Sequence, residues 1–324
     1  SAGSTAPGWT FWLAIGYRLG VDHFLWAFLS GFLALLGIAF AGNRILCNIT
    51  GDQGRFSWLG IFLVTEWHLV WAALSGMETI VFSMVILAVF WSLGKEKINT
   101  WAAGALIGLA CWLRPDGITL LGPALLFIIT VHESFSRKAV HGLKVLVGFL
   151  ALFLPYLLLN FLLSGSILPN TFFAKQAEYA VLLQVPFLER LINLLGLPIV
   201  GGGIVLLPGF FVACIRFIWT RQWLGIGAVL WWLGFTLIYA ARLPVTYQHG
   251  RYLIPAMPVF WIIGWIGSKY LLESINNDGR RKLLRFAGGL GLTLIVGIFL
   301  ILGGKTYAED VAIINTEMVE TAKS

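Results

Sequence analysis

Long apolar stretches, separated by short polar segments, repeat along almost the whole chain. They predict about ten membrane-spanning helices, because a helix that crosses a bilayer needs about 20 mainly apolar residues. We place these spans at 24–41, 58–74, 79–93, 101–113, 118–131, 143–163, 191–215, 223–241, 252–270 and 284–303. Residues 9–19 form a shorter apolar run, which predicts a helix at the membrane interface. The fold class expected from this pattern is an all-α, polytopic integral membrane protein.

Composition supports a lipid environment. Hydrophobic residues make up 59% of the 324 residues, and charged residues only 11%, against about 25% in a typical soluble domain. Mean hydropathy is +0.87. The three cysteines are scattered among apolar segments without metal-ligand spacing, so neither a disulfide framework nor a zinc site is expected. No cofactor is predicted.

The positive charges predict an orientation. Of the 22 Lys and Arg residues, 14 fall in one alternate set of loops and 8 in the other. The positive-inside rule assigns the richer set to the cytoplasm. The net charge of +7 is therefore a topology signal and does not indicate nucleic-acid binding. We expect a multi-pass cell-membrane protein in which residues 1–303 form the membrane domain and 304–324 begin an extracytoplasmic tail.

Two of the outer loops carry carboxylates. The segment Ser75-Gly-Met-Glu-Thr79 contains Glu78, and the turn Arg114-Pro-Asp-Gly117 contains Asp116. Glu78 either completes a capping box with Ser75 or faces a substrate. Arg114 either pairs locally with Asp116 or holds a phosphate through its planar guanidinium. Glu66 and His68, within an apolar stretch, either face the same cavity or pair structurally.

Two further outer segments carry cations and aromatic residues. The first runs from Pro169 to Gln176 and includes Asn170, Phe173 and Lys175; it is either an interfacial aromatic loop or a phosphate and sugar site. The second is Gln248-His-Gly-Arg-Tyr252. We expect Tyr252 to begin a span, which places His249 and Arg251 at a helix start that favours an anion. Four polar clusters on one face predict one shared site.

The ordered phrases Gly-Met-Glu-Thr, Arg-Pro-Asp-Gly, Pro-Asn-Thr-Phe-Phe-Ala-Lys and Gly-Arg-Tyr-Leu-Ile-Pro resemble the GT-C class of polytopic glycosyltransferases, in particular bacterial arabinofuranosyl- and mannosyltransferase-like membrane proteins. The resemblance runs from Ser4 to about Met318. It implies that a sugar passes from a polyprenyl-phosphate donor to a glycan, lipid or protein acceptor on the extracytoplasmic face.

The resemblance also assigns roles to residues. Arg114, Lys175, His249 and Arg251 are expected to bind the donor phosphate, and Asn170, Phe173, Gln176 and Tyr252 to line the substrate. Glu78 and Asp116 are the catalytic candidates within this sequence. The class carries its catalytic Asp in the first outer loop, which is expected upstream of Ser1. The same loop could supply ligands for a divalent metal ion. A lipid or sugar transporter, or a non-catalytic subunit for envelope assembly, is the alternative function.

Overall fold

The computed structural model describes residues 4–51, 58–94, 99–167, 169, 174, 177–313 and 316. Within these residues all regular structure is helical. In the first half of the chain the helices are α1 (Pro7–Arg18), α2 (His23–Thr50), α3 (Trp58–Thr65), α4 (Trp67–Leu74), α5 (Thr79–Leu93), α6 (Thr100–Leu113) and α7 (Leu121–Thr130). In the second half they are α8 (Phe135–Ser164), α9 (Phe187–Gly196), α10 (Gly203–Trp219), α11 (Trp223–Arg242), α12 (Met257–Glu273) and α13 (Asp278–Ile313). The expected all-α class is therefore confirmed.

Four of the described helices are long and apolar enough to cross a membrane: α2, α8, α11 and α13. A fifth candidate is formed if the segments Phe187–Ile199 and Gly203–Trp219 count as one span bent by 107°. Helices α5 and α6 are apolar but shorter, with 15 and 14 residues. The chain thus has the character of a helical membrane protein, and the count of ten spans stays a prediction.

Two predicted continuous spans are broken in the structure. The span at 58–74 divides into α3 and α4, because Glu66 takes an extended backbone and caps α4 by accepting a hydrogen bond from the His68 amide at 2.9 Å. The span at 191–215 divides at Gly201, whose φ of +79° lies in the left-handed region. The three consecutive glycines at 201–203 indicated close helix packing or a local kink, whereas apolar composition carried no signal for the break at Glu66.

The two breaks lie close together in the fold. A Cβ atom on Gly201 would lie 3.7 Å from Oε1 of Glu66, and one on Gly202 would lie 2.6 Å from the Phe62 ring. Glu66 and His68 are 2% and 5% exposed, and their side chains pair at 2.9 Å. Their polar groups therefore satisfy each other inside an apolar surrounding, which is the structural pairing that the sequence left open.

Helix α5 occupies the centre of the fold. Most of its side chains are buried, including the fully buried Ile80, Phe82 and Ile86, and one face is only partly covered. It packs against α2, α6 and the turn Ile254–Ala256. A helix that is apolar on every face is stable only when protein or lipid surrounds it. Because protein covers most of α5, this helix does not have to be long enough to span a membrane. Its N-terminus brings Glu78 to one end of the helix bundle.

Close packing of α10 and α12 depends on glycine. A Cβ on Gly267 would lie 1.7 Å from the Gly209 carbonyl oxygen, and one on Gly209 would lie 2.1 Å from the Gly264 carbonyl oxygen. No side chain can fit at those distances. Small residues at such positions let two helix backbones approach, which is a recurrent basis of helix association in membranes.

We therefore expect Gly267→Ala to lower the free energy of unfolding by about 1–3 kcal/mol, the usual cost of overpacking. Unfolding in mixed detergent micelles measures the change. Gly288→Ala is the matched control, because Gly288 lies on α13 with no atom within 4 Å of its would-be Cβ. Alanine there should be neutral or slightly stabilising. Equal stability of both variants would contradict the packing argument.

Candidate functional site

Arg114 lies where α6 ends. Pro115 cannot continue an α-helix that needs its N–H, and Arg114 takes an extended backbone with ψ 137°. The side chain therefore turns inward and is only 7% exposed. Its guanidinium lies 5.4 Å from the Phe82 ring, 5.9 Å from Tyr239 and 5.3 Å from Tyr252. An aromatic enclosure of this kind stabilises a cation through the ring faces.

Arg114, Asp116 and Tyr239 form a closed polar network. Arg114 Nε lies 3.3 Å from Asp116 Oδ1, and Nη2 donates to the Tyr239 hydroxyl at 2.6 Å. That hydroxyl donates in turn to Asp116 Oδ2 at 2.5 Å. Burial alone would lower the pKa of Arg114, but the Asp116 carboxylate, with Tyr239 and Glu78, raises it above its ordinary value. The local pair considered from the sequence is present, and both oxygens of Asp116 are occupied.

Glu78 differs from Asp116 in having an open carboxylate. It occupies the residue before α5 but its side chain does not cap that helix. The Ser75 hydroxyl instead donates to the Ala72 carbonyl at 2.8 Å, so the capping box is not formed. Within the described part of the chain the Glu78 side chain takes part in no hydrogen bond or ion pair, yet its charge acts on Arg114. A half-buried carboxylate beside a guanidinium is thus left available to a ligand.

Arg251 is the second cation of this region. Its Nη2 donates to the Tyr252 hydroxyl at 2.8 Å, and its guanidinium lies 4.8 Å from the Tyr252 ring. Nη1 reaches the Met77 sulfur at 3.9 Å, next to Glu78. No acidic side chain in the described ranges pairs with Arg251. Both guanidinium groups therefore lie against one tyrosine ring, and no acidic side chain among the described residues neutralises the charge of Arg251.

The backbone before Arg251 differs from the expected helix start. His249 and Gly250 have φ of 57° and 68°, both left-handed, and a Cβ on Gly250 would meet the Leu197 side chain at 2.5 Å. After a turn, α12 begins only at Met257. The expectation that Tyr252 begins a span was wrong, because these two residues reverse the chain first. His249 and Gly250 end a four-residue helical turn, Tyr247–Gly250, so the expected helix start does not lie at His249 and Arg251.

His249 contacts a residue that the sequence did not single out. Its Nε2 lies 3.3 Å from Asp310 Oδ2, which also accepts from Trp71 Nε1 at 3.4 Å. The imidazole packs 4.8 Å from Trp71 and 5.7 Å from Trp67. Asp310 reaches this position because α13 continues past Gly303 to Ile313. A phosphate role for His249 stays a prediction, and its polar contact among the described residues is with a carboxylate.

Tyrosine rings form one wall of the site. Tyr252 stacks on Tyr239 at 6.0 Å and meets Tyr179 edge-on at 6.4 Å. Tyr179 also contacts Tyr247 at 5.7 Å. The sequence left Tyr179 open between a place at the lipid interface and stacking on a sugar or prenyl group, whereas nothing in the sequence around Tyr239 marked it. Asn170, Phe173, Lys175 and Gln176 lie outside the described residues, and so does the side chain of Gln248.

No metal centre is formed by the described residues, which contain no group of three or more His, Cys, Asp and Glu side chains suited to one. The site that they do assemble therefore consists of two guanidinium groups, one open carboxylate and a tyrosine wall at one end of the helix bundle. No protein-family model, no curated protein and no solved structure matches this chain. The resemblance to a glycosyltransferase class thus rests on the sequence phrases alone.

Proposed function

We propose that this chain is a membrane glycosyltransferase of GT-C type, with about ten spans, that transfers a sugar from a polyprenyl-phosphate donor to an extracytoplasmic glycan, lipid or protein. The observation that carries the proposal is the placement of Arg114 and Arg251 on the ring of Tyr252, next to Glu78. Cations that hold the phosphate and a carboxylate that takes a proton suit transfer from a phosphate leaving group, and among the described residues Glu78 has no side-chain partner.

Each group has a defined task in this reaction. As the bond between the sugar carbon and the phosphate oxygen breaks, the phosphate takes the electron pair, and fixed guanidinium groups stabilise the charge that develops. Arg251 has no acidic partner among the described residues, while Arg114 has Nε and Nη2 bound to Asp116 and Tyr239. Glu78 accepts the proton of the attacking hydroxyl as that oxygen bonds to the sugar carbon.

The position of the site supports a lipid-linked donor. Glu78 lies at the start of α5, Arg114 at the end of α6 and Tyr239 near the end of α11. α11 is a candidate membrane span, so the cluster lies towards one end of that span. A polyprenyl chain can then stay in the hydrocarbon region while its phosphate reaches the arginines. The predicted orientation makes this the extracytoplasmic end.

Arg251→Ala is expected to reduce transfer by about 10²- to 10³-fold, the typical effect of removing one group that stabilises developing negative charge. Purified protein in liposomes would receive polyprenyl-phosphoryl arabinose and polyprenyl-phosphoryl mannose in parallel, and release of polyprenyl phosphate would be measured. Arg242→Ala is the control, since Arg242 is an exposed cation at the same end of α11. Unchanged release by Arg251→Ala would refute the assignment.

A transporter is the second candidate function, and one observation favours it. The breaks between α3 and α4 and between α9 and α10 meet beside the buried Glu66–His68 pair, and discontinuous helices are common at transporter binding sites. The same liposomes separate the two functions. A transporter would move the intact sugar lipid across the bilayer without releasing polyprenyl phosphate.

A further inference from the structure

A second polar cavity lies between the turn that joins α7 to α8 and the start of α11. Its volume is about 730 Å³. Most of the side chains that line it are basic or aromatic. They include His132, Arg137, Lys138, Arg221 and Trp223, and the lining also contains the carboxylate of Glu133. None of them belongs to the candidate site described above.

The cavity lies at the other end of the helix bundle. Helix α11 begins with Trp223 at the cavity and carries Tyr239 beside Asp116. Sixteen residues at 1.5 Å per residue separate these ends by about 24 Å. The cavity is therefore independent of the glycosyl-transfer site, and in the predicted orientation it faces the cytoplasm.

Its charge is positive in the part of the chain that the structure describes, because the three cations Arg137, Lys138 and Arg221 outnumber one carboxylate. Arg137 and Arg221 have no acidic partner there, and Lys138 Nζ donates to the Ile129 carbonyl at 2.6 Å. The one carboxylate of the lining, Glu133, lies 3.2 Å from Nε2 of His141. The wall thus presents two free guanidinium groups, which suit a phosphate oxygen pair better than a lone ammonium does.

The backbone at Arg221 adds to this argument. Its φ of 52° is left-handed, at the turn that ends α10, where glycine is the favoured residue. The backbone there would favour glycine, so backbone conformation does not account for the arginine. Neither Ser134 nor Gln222, the residues before α8 and α11, caps its helix through its side chain, which leaves two helix N-termini open near the cavity.

The flanking side chains place the cavity at the boundary between water and hydrocarbon. Helices α8 and α11, which begin at it, are both candidate spans. Phe135 and Trp219 are 86% and 81% exposed beside it, as expected for aromatic residues at headgroup level. We propose that this cavity binds the phosphate headgroup of an anionic phospholipid, with Arg137 and Arg221 as its ligands.

The test is a titration of the purified full chain in detergent with phosphatidylglycerol, followed by native mass spectrometry. The double variant Arg137→Gln/Arg221→Gln should weaken binding at least about tenfold, because each charge-assisted hydrogen bond lost is worth roughly that factor. Arg280→Gln/Lys282→Gln is the control. It removes the same charge from exposed residues at the start of α13, and should leave affinity within about twofold.

Two further titrations distinguish an anionic lipid headgroup from other sources of phosphate. Phosphatidylcholine should bind clearly more weakly than phosphatidylglycerol, and millimolar inorganic phosphate should not displace the bound lipid. Equal weakening in the control variant, equal affinity for phosphatidylcholine, or displacement by inorganic phosphate would each overturn the proposal. All four residues lie on the surface, so a thermal unfolding midpoint that stays unchanged verifies that the variants are folded.

Discussion

Arg114→Leu is expected to lower the free energy of unfolding by about 3–5 kcal/mol, the cost of removing one partner of a buried ion pair. The Asp116 side chain is 17% exposed, and it would keep only the Tyr239 hydroxyl as a donor. Its charge would then remain uncompensated among apolar and aromatic groups. Tyr239 would also lose the donor that orients its hydroxyl at 2.6 Å. Unfolding in mixed micelles, compared with the unaltered chain, measures the loss.

The double variant Arg114→Leu/Asp116→Asn is the control for this prediction. It removes both charges, and replacing a whole buried pair by uncharged groups is often close to neutral. We therefore expect it to regain much of the stability that Arg114→Leu loses. If the double variant is as unstable as the single one, the ion pair is not the cause, and the packing of the guanidinium against Phe82 and Tyr252 is.

The helices were predictable where hydropathy alone decides them. Helix α5 has the predicted bounds, Thr79–Leu93, because a continuous apolar run lies between Glu78 and Gly94. Helix α13 is longer than predicted, because Lys305, Glu309 and Asp310 ended the apolar run without ending the helix. Charged residues of this kind are good or tolerable helix formers. Hydropathy indicates which residues can lie in lipid. It does not predict the part of a helix that continues beyond the apolar run.

The break at Glu66 was not predictable for a different reason, whereas the glycine run at 201–203 had indicated either close helix packing or a local kink. Each lies within an apolar stretch, and each depends on contacts that are distant in the chain. Glu66 is held by His68 next to the break that Gly201 makes, and Trp261 donates to the Pro198 carbonyl at 2.8 Å just before Gly201. A tertiary contact therefore satisfies backbone groups that the broken helices release, and no local pattern reports it.

The candidate site was predictable in its charged members and in Tyr252, but not in Tyr239 and Met77. Arg114, Asp116 and Arg251 stood out because charged residues are rare in this chain. Tyr239 and Met77 did not, since they lie in or beside apolar runs and acquire a role only through the fold. The structure also distinguishes the two carboxylates that the sequence treated alike. Each oxygen of Asp116 contacts Arg114 or Tyr239, whereas the Glu78 side chain has no hydrogen bond or ion pair among the described residues.

That distinction gives the strongest expectation for activity. Glu78→Gln should lower transfer by about 10²- to 10⁴-fold, the range that general-base catalysis contributes. Glutamine has nearly the same size and keeps the local packing but cannot accept the proton. Binding of polyprenyl phosphate should be unchanged, because Arg114 and Arg251 are intact. Transfer and binding would both be measured on the liposome-reconstituted protein.

Glu309→Gln is the matched control, since Glu309 is an exposed carboxylate on α13 next to Asp310, and it should leave both quantities unchanged. Loss of binding together with transfer would make Glu78 a structural group that orders the arginines. Full transfer by Glu78→Gln would assign the proton acceptor to a carboxylate outside the described residues, as the GT-C resemblance implies. Loss of transfer with retained binding is the one outcome that a base at Glu78 explains, because only the proton-accepting group has been removed.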